Sequence, residues 1–149
     1  MEKIALEQMD AFAQKVIEGL EPHADHTTLV ALSGNLGAGK TTFVQALGRA
    51  LGVEATIQSP TYVLMKSYPI KAYGFTALVH IDAYRLENAT EFAALKPESF
   101  LLTPNTLVCV EWSERVDEAL PKPDLTLLFS AEDASGAPTL PGERYITVI

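Results

Sequence analysis

Residues 34–41 have the types and spacing with the clearest chemistry in this chain of 149 residues. Gly34, Gly39, Lys40 and Thr41 match G-x-x-x-x-G-K-[ST], a glycine-rich loop whose backbone N–H groups point inward and bind an anion. In such a loop the lysine reaches the outer phosphates of a nucleotide and the hydroxyl ligates Mg²⁺. The residues predicted to surround the phosphates are Asn35, Leu36, Gly37, Ala38, Gly39, Lys40, Thr41 and Thr42.

The segments on either side of this loop are those that a phosphate site requires. Residues 28–32 form a short apolar run that is typical of a buried strand. Residues 42–51 have helical periodicity, with Phe43 and Leu47 on one side, and Gly52 is a natural stop. Strand, loop and helix in this order place a phosphate at a helix N-terminus, where backbone N–H groups and the helix dipole favour an anion.

Two acids each end an apolar run and are candidates for the rest of the site. Asp82 follows residues 78–81, and Glu111 follows residues 107–110. Because the carboxyl ends of neighbouring strands lie beside a phosphate loop, one acid would hold Mg²⁺ through water and the other would orient the attacking water. The patterns leave open which acid has which role. Asp82, Glu111 and Lys40 are the predicted catalytic residues.

Two further residues stand close to these acids. The strand period places His80 on the same side as Asp82, where it would either relay a hydrogen bond or be a core histidine. Trp112, the only tryptophan of the chain, follows Glu111 directly. A contact with the nucleotide and a plain rim aromatic are equally compatible with its position.

Length and composition predict one domain over residues 1–149, large enough to bury a core. The formal net charge of −8 leaves little basic surface for neutralising phosphates, so tight nucleic-acid binding is not expected. No stretch approaches the roughly 20 apolar residues that span a bilayer, and the N-terminus lacks the features of a signal peptide. Cys109 is alone, which excludes an internal disulfide. These features predict a cytoplasmic protein without a membrane partner.

The remaining patterns predict an α/β domain whose mostly parallel central sheet is flanked by helices. A turn is expected at residues 69–74, and residues 131–142 would connect a C-terminal hairpin. The other expected helices cover residues 4–20, 88–95 and 98–102, and the other expected strands cover residues 62–65, 75–81, 106–110, 124–130 and 144–149.

Four segments, in order, resemble the TsaE family, small bacterial ATPases of the pathway that makes threonylcarbamoyladenosine in tRNA. The first is the loop at residues 34–43, which many unrelated proteins share. Far more specific are Ser-Pro-Thr-Tyr at 59–62, His-x-Asp-x-Tyr-Arg-Leu at 80–86 and Glu-Trp-x-Glu-Arg at 111–115. Together these segments span most of the chain.

The resemblance implies a P-loop α/β fold that binds ATP with Mg²⁺, hydrolyses it slowly alone and acts through a complex with TsaB and TsaD. In this pathway the partner TsaD transfers the threonylcarbamoyl group to tRNA. By position, Thr41 and Glu111 would be metal-side groups and Asp82 a Walker-B-like acid. Thr61 would lie in a loop that senses the γ-phosphate, and Trp112 would be a functional aromatic near the nucleotide.

The chain departs from the common family residues at Asn35, Ala83 and Ser113, none of which the chemistry needs. A nucleotide-gated interaction module without turnover and a small-molecule kinase remain as alternatives. The kinase is disfavoured because the only arginines are Arg49, Arg85, Arg115 and Arg144, too few for an arginine-rich lid. No Asn-Lys pair occurs, so the N-K-x-D guanine signature is excluded.

Overall fold

The computed structural model describes residues 1–35, 37–54, 57 and 64–149. The helices in these ranges are α1 (Met9–Glu18), α2 (Lys40–Ala50), α3 (Ala89–Ala93) and α4 (Glu98–Leu101). The strands are β1 (Glu2–Ala5), β2 (Thr28–Gly34), β3 (Met65–Ala72), β4 (Phe75–Asp82), β5 (Thr106–Glu111), β6 (Leu125–Ser130) and β7 (Glu143–Val148). Short 3-10 turns cover Leu6–Gln8, Ser113–Arg115 and Asp117–Ala119. Within these ranges, every helix is too short or too polar to cross a membrane.

The strands form one seven-stranded sheet in the order β1-β7-β6-β2-β5-β4-β3. The four inner strands β6, β2, β5 and β4 are parallel, and the outer pairs are antiparallel. The predicted α/β class with parallel strands at the centre is confirmed. The predicted C-terminal hairpin is also confirmed, because β6 and β7 pair antiparallel.

The helices cover the two faces of this sheet unequally. Helices α1 and α2 pack on one face, over a core that includes Leu32, Phe43 and Leu127. Residues of α3, α4 and the turns near residues 113–119 pack on the other face, with Leu29 and Val110. Strand β5 is buried along its whole length, as its near-continuous apolarity predicts for a central strand. The carboxyl ends of the parallel strands therefore meet at one edge of the sheet, beside the start of α2.

The predicted helix over residues 4–20 is wrong at its beginning. Residues Glu2–Ala5 form β1, a 3-10 turn follows, and the helix covers only Met9–Glu18. Ile4 is buried and pairs with Arg144 on β7. Backbone hydrogen bonds to a strand from the far end of the chain thus prevail over the local helical period.

The predicted turn at residues 69–74 is wrong at its beginning, because β3 continues through Pro69 to Ala72 and the turn covers only the last two residues. Proline lacks the N–H that a central strand needs, but β3 is the edge strand of the sheet and tolerates it. The pairing with β4 shifts register between Pro69 and Ala72, and the chain reverses at Tyr73 and Gly74. Of the strand expected at residues 62–65, the first two residues lie outside the described residues.

Candidate functional site

The glycine loop connects the end of β2 to the start of α2. Gly34 lies so close to β6 that a Cβ atom there would clash with the carbonyl oxygen of Phe129. Gly39 has a φ of 104°, in the left-handed region that favours glycine, and α2 begins at the next residue. Both glycines are therefore needed for the backbone to turn from the strand into the helix. The first N–H groups of α2 face the loop, where an anion would bind.

Lys40 is almost completely buried, with 4% of its surface exposed. Its Nζ donates hydrogen bonds to the carbonyl oxygens of Gly34 and of Asn35, the second at 3.0 Å. The same atom lies 4.1 Å from the ring centroid of Trp112. These partners carry no net charge, so an anionic phosphate would be a stronger partner for the ammonium group.

Burial lowers the pKa of Lys40 from its usual value, because desolvation disfavours the charged form. The carboxylates of Glu114, Glu111 and Asp82 act in the opposite direction. An additional negative charge, such as that of a nucleotide phosphate, would therefore stabilise the charged form of Lys40.

The two predicted acids lie side by side at the ends of β4 and β5, because Asp82 is the register partner of Glu111 in this parallel pair. They are 7% and 2% exposed. Glu111 Oε1 accepts a hydrogen bond from the Thr41 hydroxyl at 2.7 Å, and Glu111 Oε2 is paired with His80 Nε2. Asp82 Oδ1 accepts the backbone N–H of Tyr84 at 3.0 Å. Glu111 thus connects the loop hydroxyl to His80, and Asp82 lies beside it on the neighbouring strand.

Trp112 adopts a left-handed backbone conformation, with φ of 58° and ψ of 38°. Such a conformation costs on the order of 1–3 kcal/mol for a residue with a side chain and persists only where its surroundings impose it. The ring packs against Tyr84, with centroids 5.2 Å apart, and the Arg115 guanidinium lies 5.1 Å from its centroid. Two cations, Lys40 and Arg115, therefore contact the Trp112 ring.

Lys40, Tyr84 and Trp112 line one cavity of about 510 Å³. It brings together the predicted residues Gly37, Ala38, Gly39, Lys40, Thr41, Thr42, Asp82, Glu111 and Trp112. Asn35 does not line the cavity, but its carbonyl oxygen holds Lys40. Leu36 and Thr61, which the sequence also predicts as nucleotide contacts, lie outside the described residues.

No local sequence pattern indicates one further wall of this cavity. Arg144 on β7 donates from Nε and Nη2 to the carbonyl oxygen of Gly37, at 3.2 and 3.0 Å. Ile4, Leu6 and Met9 from the N-terminal segment complete the wall. They reach the loop because β1 pairs with β7, a contact between the two ends of the chain that no local pattern predicts.

A glycine loop between a strand and a helix, with a buried lysine and carboxylates at the carboxyl edge of a parallel α/β sheet, defines a P-loop NTPase-type protein. Residues 4–138 match the family described as "Threonylcarbamoyl adenosine biosynthesis protein TsaE". The chain belongs to the TsaE family, and the resemblance seen in its motifs is confirmed.

Individual relatives agree with this assignment. TsaE of Streptomyces coelicolor is 38% identical over 120 residues, which are 80% of this chain and 78% of that protein. TsaE of Haemophilus influenzae is 32% identical, over 71% of this chain and 65% of that protein. Both are named as tRNA threonylcarbamoyladenosine biosynthesis proteins. The crystal structure of Bacillus subtilis YdiB has the same fold, with a TM-score of 0.71 and 24% identity, covering 99% of this chain and 82% of that chain.

Proposed function

We propose that this protein binds ATP together with Mg²⁺ and hydrolyses it slowly to ADP and phosphate. One observation carries the proposal: the Thr41 hydroxyl lies 2.7 Å from the Glu111 carboxylate, inside the cavity beside the glycine loop. In P-loop NTPases a hydroxyl from the loop and a nearby acid hold Mg²⁺ next to the phosphates. This contact would therefore be the metal side of the site.

The available donor atoms fit Mg²⁺. Thr41, Glu111 and Asp82 offer hydroxyl and carboxylate oxygens, the hard ligands that this ion prefers. No three His, Cys, Asp or Glu side chains of the described residues are grouped to hold a metal by themselves. Mg²⁺ usually keeps several waters and takes other ligands from substrate phosphates, so one or two protein ligands suffice. When bound, it would neutralise charge on the phosphate oxygens.

The contacts support a division of roles between the two acids. Both oxygens of Glu111 are engaged, one by Thr41 and one by His80, which suits a fixed metal-side group. Asp82 lies beside it at the cavity wall and would orient the attacking water and accept its proton as the bond between ADP and the terminal phosphoryl group breaks. Lys40 would exchange its carbonyl partners for phosphate oxygens and stabilise the charge of the transition state.

The shape of the cavity supports an orientation for the nucleotide. The acids and Lys40 form a polar part of its lining, whereas Ile4, Leu6 and Met9 form an apolar part. Leu6 keeps 61% of its surface exposed there, and its N–H is tied to the Gly142 carbonyl at 2.7 Å. The sugar and base would lie against this wall, because apolar side chains stabilise a base through its faces.

We also propose that this activity serves threonylcarbamoyladenosine formation in cytoplasmic tRNA through a TsaB–TsaD complex. Membership of the TsaE family supports this role. The net charge of −8 supports action on a protein complex and not direct binding to tRNA, because tRNA binding needs a basic surface.

Steady-state ATP hydrolysis, measured with and without purified TsaB–TsaD, tests both parts of the proposal. The protein alone should release ADP slowly and only with Mg²⁺, and the complex should raise the rate. Tight ATP binding without turnover in either condition would instead support a nucleotide-gated module. ADP release that requires a small phosphoryl acceptor would support a kinase.

A further inference from the structure

His80 is a fully buried histidine whose ring contacts the proposed metal-side acid. It lies on β4, two residues before Asp82, and none of its surface is exposed. Its Nε2 is hydrogen-bonded to Glu111 Oε2, while the other oxygen of Glu111 accepts from Thr41. An ionised carboxylate only accepts hydrogen bonds, so we assign the proton to Nε2 from the hydrogen-bond pattern. His80 therefore donates to the Glu111 oxygen that Thr41 does not contact.

Packing does not explain a histidine at this position. Its second nitrogen, Nδ1, is buried and has no hydrogen-bond partner among the described residues. A buried polar atom without a partner costs about 1–3 kcal/mol. Among the neighbours of His80 in the sheet, Leu78 and Cys109 are buried and apolar or nearly so, and Lys66 pairs with it on the outer strand β3. An apolar side chain would pack better against Leu78 and Cys109.

We infer that His80 is a positioning residue: its Nε2–H group fixes the Glu111 carboxylate so that Oε1 faces Thr41. A glutamate side chain has three rotatable bonds, and a buried carboxylate held at only one oxygen can turn about the last of them. Contacts at both oxygens remove this freedom. His80 does not line the cavity and so acts only through Glu111.

The catalytic consequence of this inference rests on the proposed function, whereas the orientation of Glu111 does not. Groups that hydrogen-bond to metal ligands from behind orient them, and their loss typically costs about 10- to 100-fold in metal affinity or activity. Removal of the Nε2–H group should therefore weaken the response to Mg²⁺ and leave Mg²⁺-free nucleotide binding unchanged.

Three substitutions separate positioning from packing. His80→Gln places an amide N–H close to the position of Nε2 and should keep the contact with Glu111. His80→Asn is polar but too short to reach it, and His80→Leu has no donor, so both should lose the contact. Cys109→Ala is the matched control, because Cys109 is buried directly opposite His80 on β5 and lies outside the cavity lining.

The first measurement is a crystal structure of each unliganded variant. In His80→Asn or His80→Leu, the Glu111 carboxylate should turn so that neither of its oxygens stays within hydrogen-bonding distance of Thr41, whereas the bond should remain in His80→Gln and Cys109→Ala. Glu111 still bonded to Thr41 in the Asn and Leu variants would overturn the inference, whether or not the protein is an ATPase. Two variants that lose the contact are used so that a folding failure of one leaves the other.

The second measurement is the Mg²⁺ concentration that gives half-maximal ATP turnover, with ADP affinity in EDTA measured alongside. This concentration should rise about 10- to 100-fold in His80→Asn, return close to wild type in His80→Gln and stay unchanged in Cys109→Ala, with ADP affinity constant. An equal loss in His80→Gln and His80→Asn would show that the histidine acts through packing and overturn the inference. A wild type without turnover would refute the proposed function alone, since the crystal structures still decide the orientation of Glu111.

Discussion

The parallel strands have two sets of ends, here called the carboxyl edge and the amino edge of the sheet. Each edge has a cavity and a histidine–carboxylate pair, but the two differ in almost everything else. At the carboxyl edge, the cavity measures about 510 Å³, and the His80–Glu111 pair is 0% and 3% exposed. At the amino edge, a cavity of about 460 Å³ adjoins the His23–Asp124 pair, whose side chains are 32% and 29% exposed. Neither cavity size nor residue type distinguishes the two edges.

The difference lies in burial and in connection to a binding loop. The His23–Asp124 pair is partly exposed to water, where such a pair contributes about 0–1 kcal/mol, and Asp124 also accepts the N–H of Leu29 at the start of β2. The His80–Glu111 pair is removed from water, continues to Thr41 and so reaches the glycine loop. Burying charged groups is costly unless they are paired. The buried His80–Glu111 pair at the carboxyl edge therefore needs a functional explanation, and the partly exposed pair at the amino edge does not.

Loss of the loop lysine should have the largest effect on this contrast. Lys40→Ala removes the buried ammonium that would bind the phosphates, and loss of one member of a buried charge pair costs about 2–5 kcal/mol, or at least about 30-fold in affinity. Calorimetry with ATP and Mg²⁺ measures this loss. Lys122→Ala, a lysine beside the cavity at the amino edge, is the control. Equal affinities in Lys40→Ala and the wild type would place nucleotide binding elsewhere.

The acids should affect turnover more than binding. Glu111→Gln and Asp82→Asn keep the size of each side chain but remove the charge, so turnover should fall about 100-fold or more in each, with ATP affinity largely retained. Single-turnover hydrolysis and equilibrium binding separate the two effects. Asp124→Asn makes the same change at the amino edge and should leave turnover intact. Unchanged turnover in both site variants would reject the proposed roles of the acids.

Trp112 should report ligand binding at the carboxyl edge alone. It is the only tryptophan, and its ring contacts Lys40, whose ammonium would move to the phosphates when ATP binds. Tryptophan emission should therefore change on ATP addition in the wild type and not in Lys40→Ala. The physical cause is the loss of a cation from the ring face, an interaction of about 0.5–2 kcal/mol. Constant emission while calorimetry detects binding would mean that Lys40 stays on the ring.

The smallest effect is expected at the amino edge. His23→Ala removes a partly exposed pair with Asp124, so the free energy of unfolding should change by about 0–1 kcal/mol, and nucleotide affinity should not change. Urea denaturation and calorimetry measure the two quantities. A loss of ATP affinity in this variant would remove the distinction between the two edges.

Much of the site could be predicted because each of its parts has a local signal in the sequence. The loop at residues 34–41, the strand before it and the helix after it follow from local spacing and periodicity. Asp82 and Glu111 are recognisable because each ends an apolar strand, and the structure places both at the same edge. Thr61 could be proposed from the resemblance, but it lies outside the described residues and stays a prediction.

The errors arose where distant segments determine the local structure. The residues before Met9 have a helical period, but pairing with β7 makes four of them a strand. Pro69 indicates a turn when the strand order is unknown, and only the edge position of β3 explains why the strand continues. Arg144 had no local signal, because its partner Gly37 is 107 residues away in the chain.

The sequence by itself determined the family and the chemistry of the glycine loop, since a few adjacent residues specify the turn, the lysine and the hydroxyl. The tertiary structure alone decided how Glu111 is held, because its partners Thr41 and His80 are 70 and 31 residues away. It also decided that both ends of the chain form a wall of the cavity. Contacts between separate strands depend on the order of the sheet, which is set by burial of the whole core and not by any one segment.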